Sequence, residues 1–104
     1  MTFGCYETPV THQDLPERRE VHYEGSVQGV GFRYTVLHIA GGCDVSGYVR
    51  NLSDGRVQVV AEGSPEQLDE FLTTVSRAME ANINHADVVK STATGEFAGF
   101  QMRF

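Results

Sequence analysis

A chain of 104 residues with 40% hydrophobic and 21% charged content is sized for a single globular domain and is too apolar to be disordered. Its 8 basic and 14 acidic residues leave a net charge of −6, with Lys90 the only lysine, which argues against nucleic acid and anionic membrane as partners. No apolar run approaches the ~20 residues that span a bilayer, Met1–Glu20 lacks the apolar core of a signal peptide, and Cys5 and Cys43 make neither a disulfide framework nor a metal-ligand set, so a soluble, cytoplasmic protein is expected.

Residues 1–19 hold two prolines and no sustained period of 2 or 3.6, and read as a mobile extension, the alternative being an edge strand around Thr2–Tyr6. Glu20–Gly25 alternates Val21 and Tyr23 with His22 and Glu24, the pattern of a half-buried strand. A glycine-rich turn, Gly25-Ser-Val-Gln-Gly-Val-Gly31, follows. A helix is predicted from Phe32 to about Gly41, with Phe32, Val36, Ile39 and Ala40 on its buried face and Gly41 and Gly42 as its stop. Asp44 is a candidate for a left-handed cap just after it.

Val45–Asn51 and Arg56–Gly63 read as strands joined by Leu52-Ser-Asp-Gly55, whose Asp-Gly pair predicts a hairpin. Ser64-Pro65-Glu66-Gln67 announces the next helix, with Ser64 as cap, Pro65 in the first turn and Gln67 completing a capping box. Leu68, Phe71, Leu72, Val75 and Met79 supply its apolar face. Ala86–Thr94 and Phe97–Phe104 close the chain as strands across a turn at Thr94-Gly95-Glu96, with Phe100, Met102 and Phe104 facing one way. The order βαββαβ with a short extra strand predicts a split-βαβ, ferredoxin-like α+β sandwich: a mainly antiparallel sheet of four to five strands with two helices on one face. Such a fold decides no function by itself.

Two segments carry chemistry. In the first, Gly25, Gly29 and Gly31 free the backbone for unusual torsions between a strand and a helix N-terminus, where successive N–H groups and the helix dipole favour an anion. Arg33 follows, with a planar fork of donors that matches a phosphoryl group. The loop is neither a Walker loop nor a dinucleotide fingerprint, since no Gly-Lys-Ser/Thr follows and Tyr34 takes the place of a third glycine. A tight strand–helix turn with a surface arginine is the plain alternative. In the second segment, Gly47-Tyr-Val-Arg-Asn51, Asn51 falls at a strand end beside the hairpin turn. Its carboxamide can accept a proton from water while donating to another oxygen, but it is no strong base; a turn asparagine serving local backbone is the plain alternative.

Together, Gly25-Ser-Val-Gln-Gly-Val-Gly-Phe-Arg33 and Gly47-Tyr-Val-Arg-Asn51, the latter followed by Gly55, Val57 and Gly63, resemble the two signatures of the acylphosphatase family, and the likeness runs over residues 20–104 to Gly95-Glu-Phe-Ala-Gly-Phe. The resemblance implies the ferredoxin-like fold and hydrolysis of acyl phosphates to a carboxylate and inorganic phosphate. It implies Arg33 as the phosphate-binding residue, with the backbone of Val27, Gln28, Gly29, Val30, Gly31 and Phe32 around it, and Asn51 as the residue that orients water. It also brings the terminal carboxylate of Phe104 within reach of Arg33, as in some members. The chemistry suits such modest equipment: a carboxylate leaves with a conjugate-acid pKa of ~4 and needs no general acid, and a loose phosphoryl transition state is served by positioning and charge. No metal or cofactor is implied, His12, His22, His38 and His85 having no ligand spacing, and a monomer is expected.

Rival readings have less behind them. Cys43 lies ten residues after Arg33, on the wrong side for a cysteine phosphatase, and reads as buried structure; a Cys5–Cys43 disulfide suits no reducing compartment. His22 and His38 read as surface residues, Arg50 and Lys90 as solvated charges, Tyr48 as packing. An RNA-binding domain would put aromatics on the third strand, and Val57–Glu62 has none. A catalytically silent anion-binding module is the remaining alternative, against which the pair Arg33 and Asn51 speaks.

Overall fold

The computed structural model describes residues 15–104. The elements run β1 (Glu17–Gly25), α1 (Phe32–Ala40), β2 (Val45–Asn51), β3 (Val57–Gly63), α2 (Pro65–Ala78), β4 (Ile83–Thr92) and β5 (Phe100–Arg103). They form a five-stranded sheet in the order β4-β1-β3-β2-β5. Neighbours are antiparallel except β2 and β5, which run parallel. The expected ferredoxin-like arrangement is therefore present, with β5 as the extra strand.

The core follows from the two periodicities. Val21 and Tyr23 of β1, Val49 of β2 and Val57, Val59 and Ala61 of β3 alternate toward one sheet face. Phe32, Val36 and Ala40 of α1 and Leu68, Phe71 and Val75 of α2 lie against them. Register is fixed by pairs such as Val21 with Val59 and Val49 with Val59, since a slip of one residue would turn every apolar side chain outward.

Several element ends differ from expectation. β1 begins at Glu17, three residues before the alternation starts. Charge pairing extends it: Arg18 bonds Glu62 and Glu96, and Arg19, only 4% exposed, meets Asp69 of α2 and Glu17. The suggested edge strand around Thr2–Tyr6 lies outside the described residues.

Gln67 completes only half of a capping box. Its backbone N–H donates to Ser64 Oγ, but its side-chain oxygen accepts from the Asp44 backbone N–H at 2.8 Å and ties the α1–β2 turn to α2 instead. Asp44 is not left-handed, because among the described residues only glycines have positive φ. β4 starts earlier and stops sooner than expected, at Ile83 and Thr92, and β5 is confined to Phe100–Arg103.

The early stop of β4 and the shortened β5 trace to Glu62, on the sheet face away from the helices. Its carboxylate accepts from the Thr94 N–H and hydroxyl and from the Gly95 N–H, each at 2.9 Å, which pulls the β4–β5 connection across the sheet. Phe97 then packs edge-on against Tyr48 instead of continuing a strand. This cover leaves Gln58, Val60 and Glu62 buried, so β3 is buried on both faces.

Candidate active site

The β1–α1 loop and the end of β2 meet at one edge of the core. Val27 is wholly buried and anchors the loop. Gly29 and Gly31 then adopt φ of 78° and 77°, torsions costly for any residue with a Cβ. Gly31 is the N-cap of α1: its carbonyl accepts from the Thr35 N–H and hydroxyl, both at 3.0 Å. No side chain caps this helix and its first turn holds no acidic residue. The N–H groups from Gly29 to Tyr34 donate to no acceptor among the described residues. A row of unsatisfied donors at a helix N-terminus, undisturbed by carboxylates, is a place for an anion.

Asn51 arrives from β2. Its position in the alternation puts it on the same face as Val49, the helix side, while Arg50 turns to the other face and donates to Gln58 Oε1 at 2.7 Å. Gly47 makes this strand possible. At φ 144° its missing Cβ would lie 1.8 Å from the Val60 carbonyl oxygen, so no larger residue lets β2 approach β3 here. The Oδ1 atom of Asn51 is buried and accepts no hydrogen bond among the described residues.

These parts enclose a cavity of about 210 Å³ lined by Val27, Gly29, Gly31, Phe32, Arg33, Tyr34 and Asn51. Of the residues expected from sequence, Arg33, Asn51, Val27, Gly29, Gly31 and Phe32 therefore come together. Val30 is exposed beside the cavity without lining it. Gln28 also stays out of it, because its side chain turns to the β2–β3 hairpin and donates to the carbonyls of Leu52 at 2.7 Å and Arg56 at 2.9 Å.

The chain's C-terminal end reaches Arg33 differently than expected. Arg33 donates to the Arg103 carbonyl oxygen at 3.4 Å, and its guanidinium lies 4.9 Å from the centre of the Phe104 ring. The ring and a carbonyl make the contact, in place of the terminal carboxylate. Phe104 consequently leaves the face shared by Phe100 and Met102 and is 94% exposed. Tyr34 and the side chain of Gln28 are the participants that sequence reading missed. The position of Gln28 inside a loop of otherwise small and apolar residues was the one available signal.

Other groups lie elsewhere. Cys43 is a free, part-buried thiol after α1; burial, then the charge of Glu70, pushes its pKa up and keeps it protonated. His22 stands beside Glu20 at 3.6 Å, and neither it nor His38 lines the cavity. Glu24, His85 and Asp87 cluster where β1 pairs with β4, their candidate ligand atoms within 4.8 Å of one another. His85 and Asp87 make an exposed ion pair at 2.8 Å, and the Asp87 carboxylate raises the imidazole pKa. A larger, open groove of about 690 Å³ lies at the other end of β2, lined by acidic Asp44 and Glu62 among others, which suits no anion. Among the described residues no helix is long and apolar enough to cross a membrane.

Comparison with known proteins bears on the family and the fold. The acylphosphatase family model matches residues 19–102. An acylphosphatase of Syntrophotalea carbinolica is 37% identical over 90 residues, which cover 86% of this chain and 98% of that protein. The crystal structure of acylphosphatase from Bacillus subtilis superposes with a TM-score of 0.77 at 29% identity, over 85% of this chain and 99% of that one. Full-length HypF, solved in a phosphate- and nucleotide-bound form, contains a similar unit: TM-score 0.74 and 27% identity over 88% of this chain but 12% of the larger one.

Proposed function

We propose, for a chain that belongs to the acylphosphatase family and hydrolyses acyl phosphates to a carboxylate and inorganic phosphate, that the Arg33–Asn51 cavity is where it does so and that the two residues divide the work. Arg33 and the loop amides hold the phosphoryl oxygens, and Asn51 places the attacking water. The observation that carries this reading is the convergence of three complementary groups on one cavity: the Arg33 guanidinium, a helix N-terminus whose N–H groups find no acceptor among the described residues, and the Asn51 carboxamide.

Binding comes first. A phosphoryl group offers three non-bridging oxygens, and the Arg33 fork and loop N–H groups offer several donors at a fixed spacing. Because the loop is set by Gly29, Gly31 and the buried Val27, these donors need little reorganisation as charge spreads over the phosphoryl oxygens. The site is a local exception in an acidic chain: residues 20–104 hold 11 acidic against 6 basic residues. It therefore selects a small dianion by contact, and draws in no polyanion.

Water comes next. Asn51 lines the cavity, and its carboxamide oxygen accepts a hydrogen bond from a water molecule and fixes the water's lone pair toward phosphorus. No side-chain base is required, since a phosphoryl oxygen of the substrate can take the second proton, and no acid is required by a leaving carboxylate. The balance is simple: one P–O bond forms to water and one breaks to the acyl oxygen.

The test is hydrolysis of benzoyl phosphate in ¹⁸O-labelled water, with and without a chelator. The label is expected in phosphate and not in benzoate, with the rate insensitive to chelation, and Arg33→Ala is expected to lose both turnover and inhibition by phosphate. Label in the benzoate, or an Arg33→Ala variant still inhibited by phosphate at the wild-type concentration, would overturn the assignment.

A further inference from the structure

We propose that the Gln28 side chain is a positioning residue for this reaction, acting as a clamp that holds the Asn51 hairpin against the anion loop. The proposal rests on the reading of the Arg33–Asn51 cavity given above. It adds a role for a residue whose backbone alone was expected to matter.

The cavity is assembled from two parts far apart in sequence. The anion loop ends β1, and Asn51 ends β2 just before the Leu52–Arg56 turn. That turn closes on itself: Leu52 N–H donates to the Arg56 carbonyl at 2.8 Å, and Gly55 N–H to the Leu52 carbonyl at 3.2 Å. Each of those two carbonyls has a second lone pair, and Gln28 Nε2 donates to both, at 2.7 Å and 2.9 Å. One side chain of the anion loop thus holds both ends of the turn that follows Asn51.

The chemistry of the two acceptors restricts what can do this. Both partners are carbonyl oxygens, so the group between them must supply two protons from one atom, as an amide NH₂ does. The same logic fixes the orientation of the carboxamide, because its oxygen would face two oxygens if the ends were exchanged. Glutamate has the right length and the wrong sign; asparagine has the right group on a side chain one methylene shorter. Methionine copies the length and apolar bulk without any donor.

The consequence for catalysis is specific. A phosphoryl group bound by Arg33 and the loop does not depend on where the hairpin sits. The water bound by Asn51 does, since its approach to phosphorus is set by the distance between the two segments. A misplacement of about 1 Å can cost on the order of 100-fold in rate. Loss of the clamp is therefore read in turnover and hardly at all in phosphate affinity.

Three measurements on the intact chain test this. First, in the wild-type protein, the Gln28 side-chain amide protons are followed by NMR hydrogen exchange. Both are expected to be protected; exchange at the rate of a free carboxamide would overturn the clamp, whatever the protein's activity. Second, Gln28→Met is compared with wild type in benzoyl phosphate hydrolysis and inhibition by inorganic phosphate. A fall in kcat of about 10- to 100-fold with the inhibition constant held within about twofold is expected. An unchanged kcat, or an inhibition constant rising in step with the loss, would overturn the positioning role. Third, Gln28→Met is combined with Asn51→Ala. If Gln28 acts through Asn51, the double variant is no slower than Asn51→Ala by more than about twofold, whereas multiplying losses contradict it. A wild type without turnover would overturn the reading of the cavity and leave the exchange measurement to judge the clamp.

Discussion

The Arg33 guanidinium lies 4.9 Å from the centre of the Phe104 ring, a cation–π contact made by a ring that is otherwise exposed. The Arg103 carbonyl takes one N–H of the same guanidinium. Among the described residues, no other acceptor takes the remaining Arg33 donors. Phe104→Ala is expected to weaken phosphate inhibition by about two- to fivefold, in line with ~0.5–1 kcal/mol for an exposed cation–π contact. Phosphate inhibition constants for the two proteins check it; equal constants would mean that the ring does nothing for Arg33.

A second expectation concerns Gly47. A Cβ at this position would sit 1.8 Å from the Val60 carbonyl oxygen, and φ of 144° is strained for any other residue. Gly47→Ala must therefore push β2 from β3 and disturb Asn51 four residues on. A loss of roughly 3 kcal/mol or more in urea denaturation is expected. A loss below about 1 kcal/mol would show that the strands separate more freely than this packing allows.

Glu62 sets a pH dependence of stability. Its burial opposes the charge, but the N–H groups of Thr94 and Gly95, the Thr94 hydroxyl and Arg18 outweigh that and hold the carboxyl below its usual range. A depressed folded-state pKa stabilises the fold above the unfolded value of ~4.3, and that contribution is lost as pH falls through the folded value. Glu62→Gln should cost about 1–3 kcal/mol at pH 7, and the gap from wild type should close in strongly acidic solution. Denaturation at both pH values decides; a gap independent of pH would assign the loss to shape alone.

Cys43 offers a negative control. Its thiol is raised in pKa by burial and by Glu70, and it stands apart from the cavity. Cys43→Ala is expected to keep turnover within about twofold, and alkylation with iodoacetamide to leave it intact. Inactivation by the reagent in wild type and not in the variant would contradict this.

The sequence announced the site more fully than the framework around it. Glycines before a helix and an asparagine at a strand end are local signals, and the cavity holds both where the spacing places them. What escaped the sequence was decided by partners remote in the chain. Arg18 and Arg19 look like an unstructured charged run until Glu62, Glu96 and Asp69 are brought beside them. Thr94 reads as strand, yet its donors belong to Glu62, 32 residues away. Gln67 reads as the partner of Ser64 and turns to Asp44 instead. In each case a polar group had a choice of partners, and tertiary packing made the choice.

The division of work between Arg33 and Asn51 is tested most directly by the phosphate affinity of Asn51→Ala, measured by titration calorimetry on a variant already shown to have lost turnover. Affinity within about twofold of wild type is predicted, because the phosphoryl group is held by Arg33 and the loop while Asn51 holds only the water. A loss of phosphate affinity that matches the loss of turnover would contradict that division and make Asn51 part of the anion site.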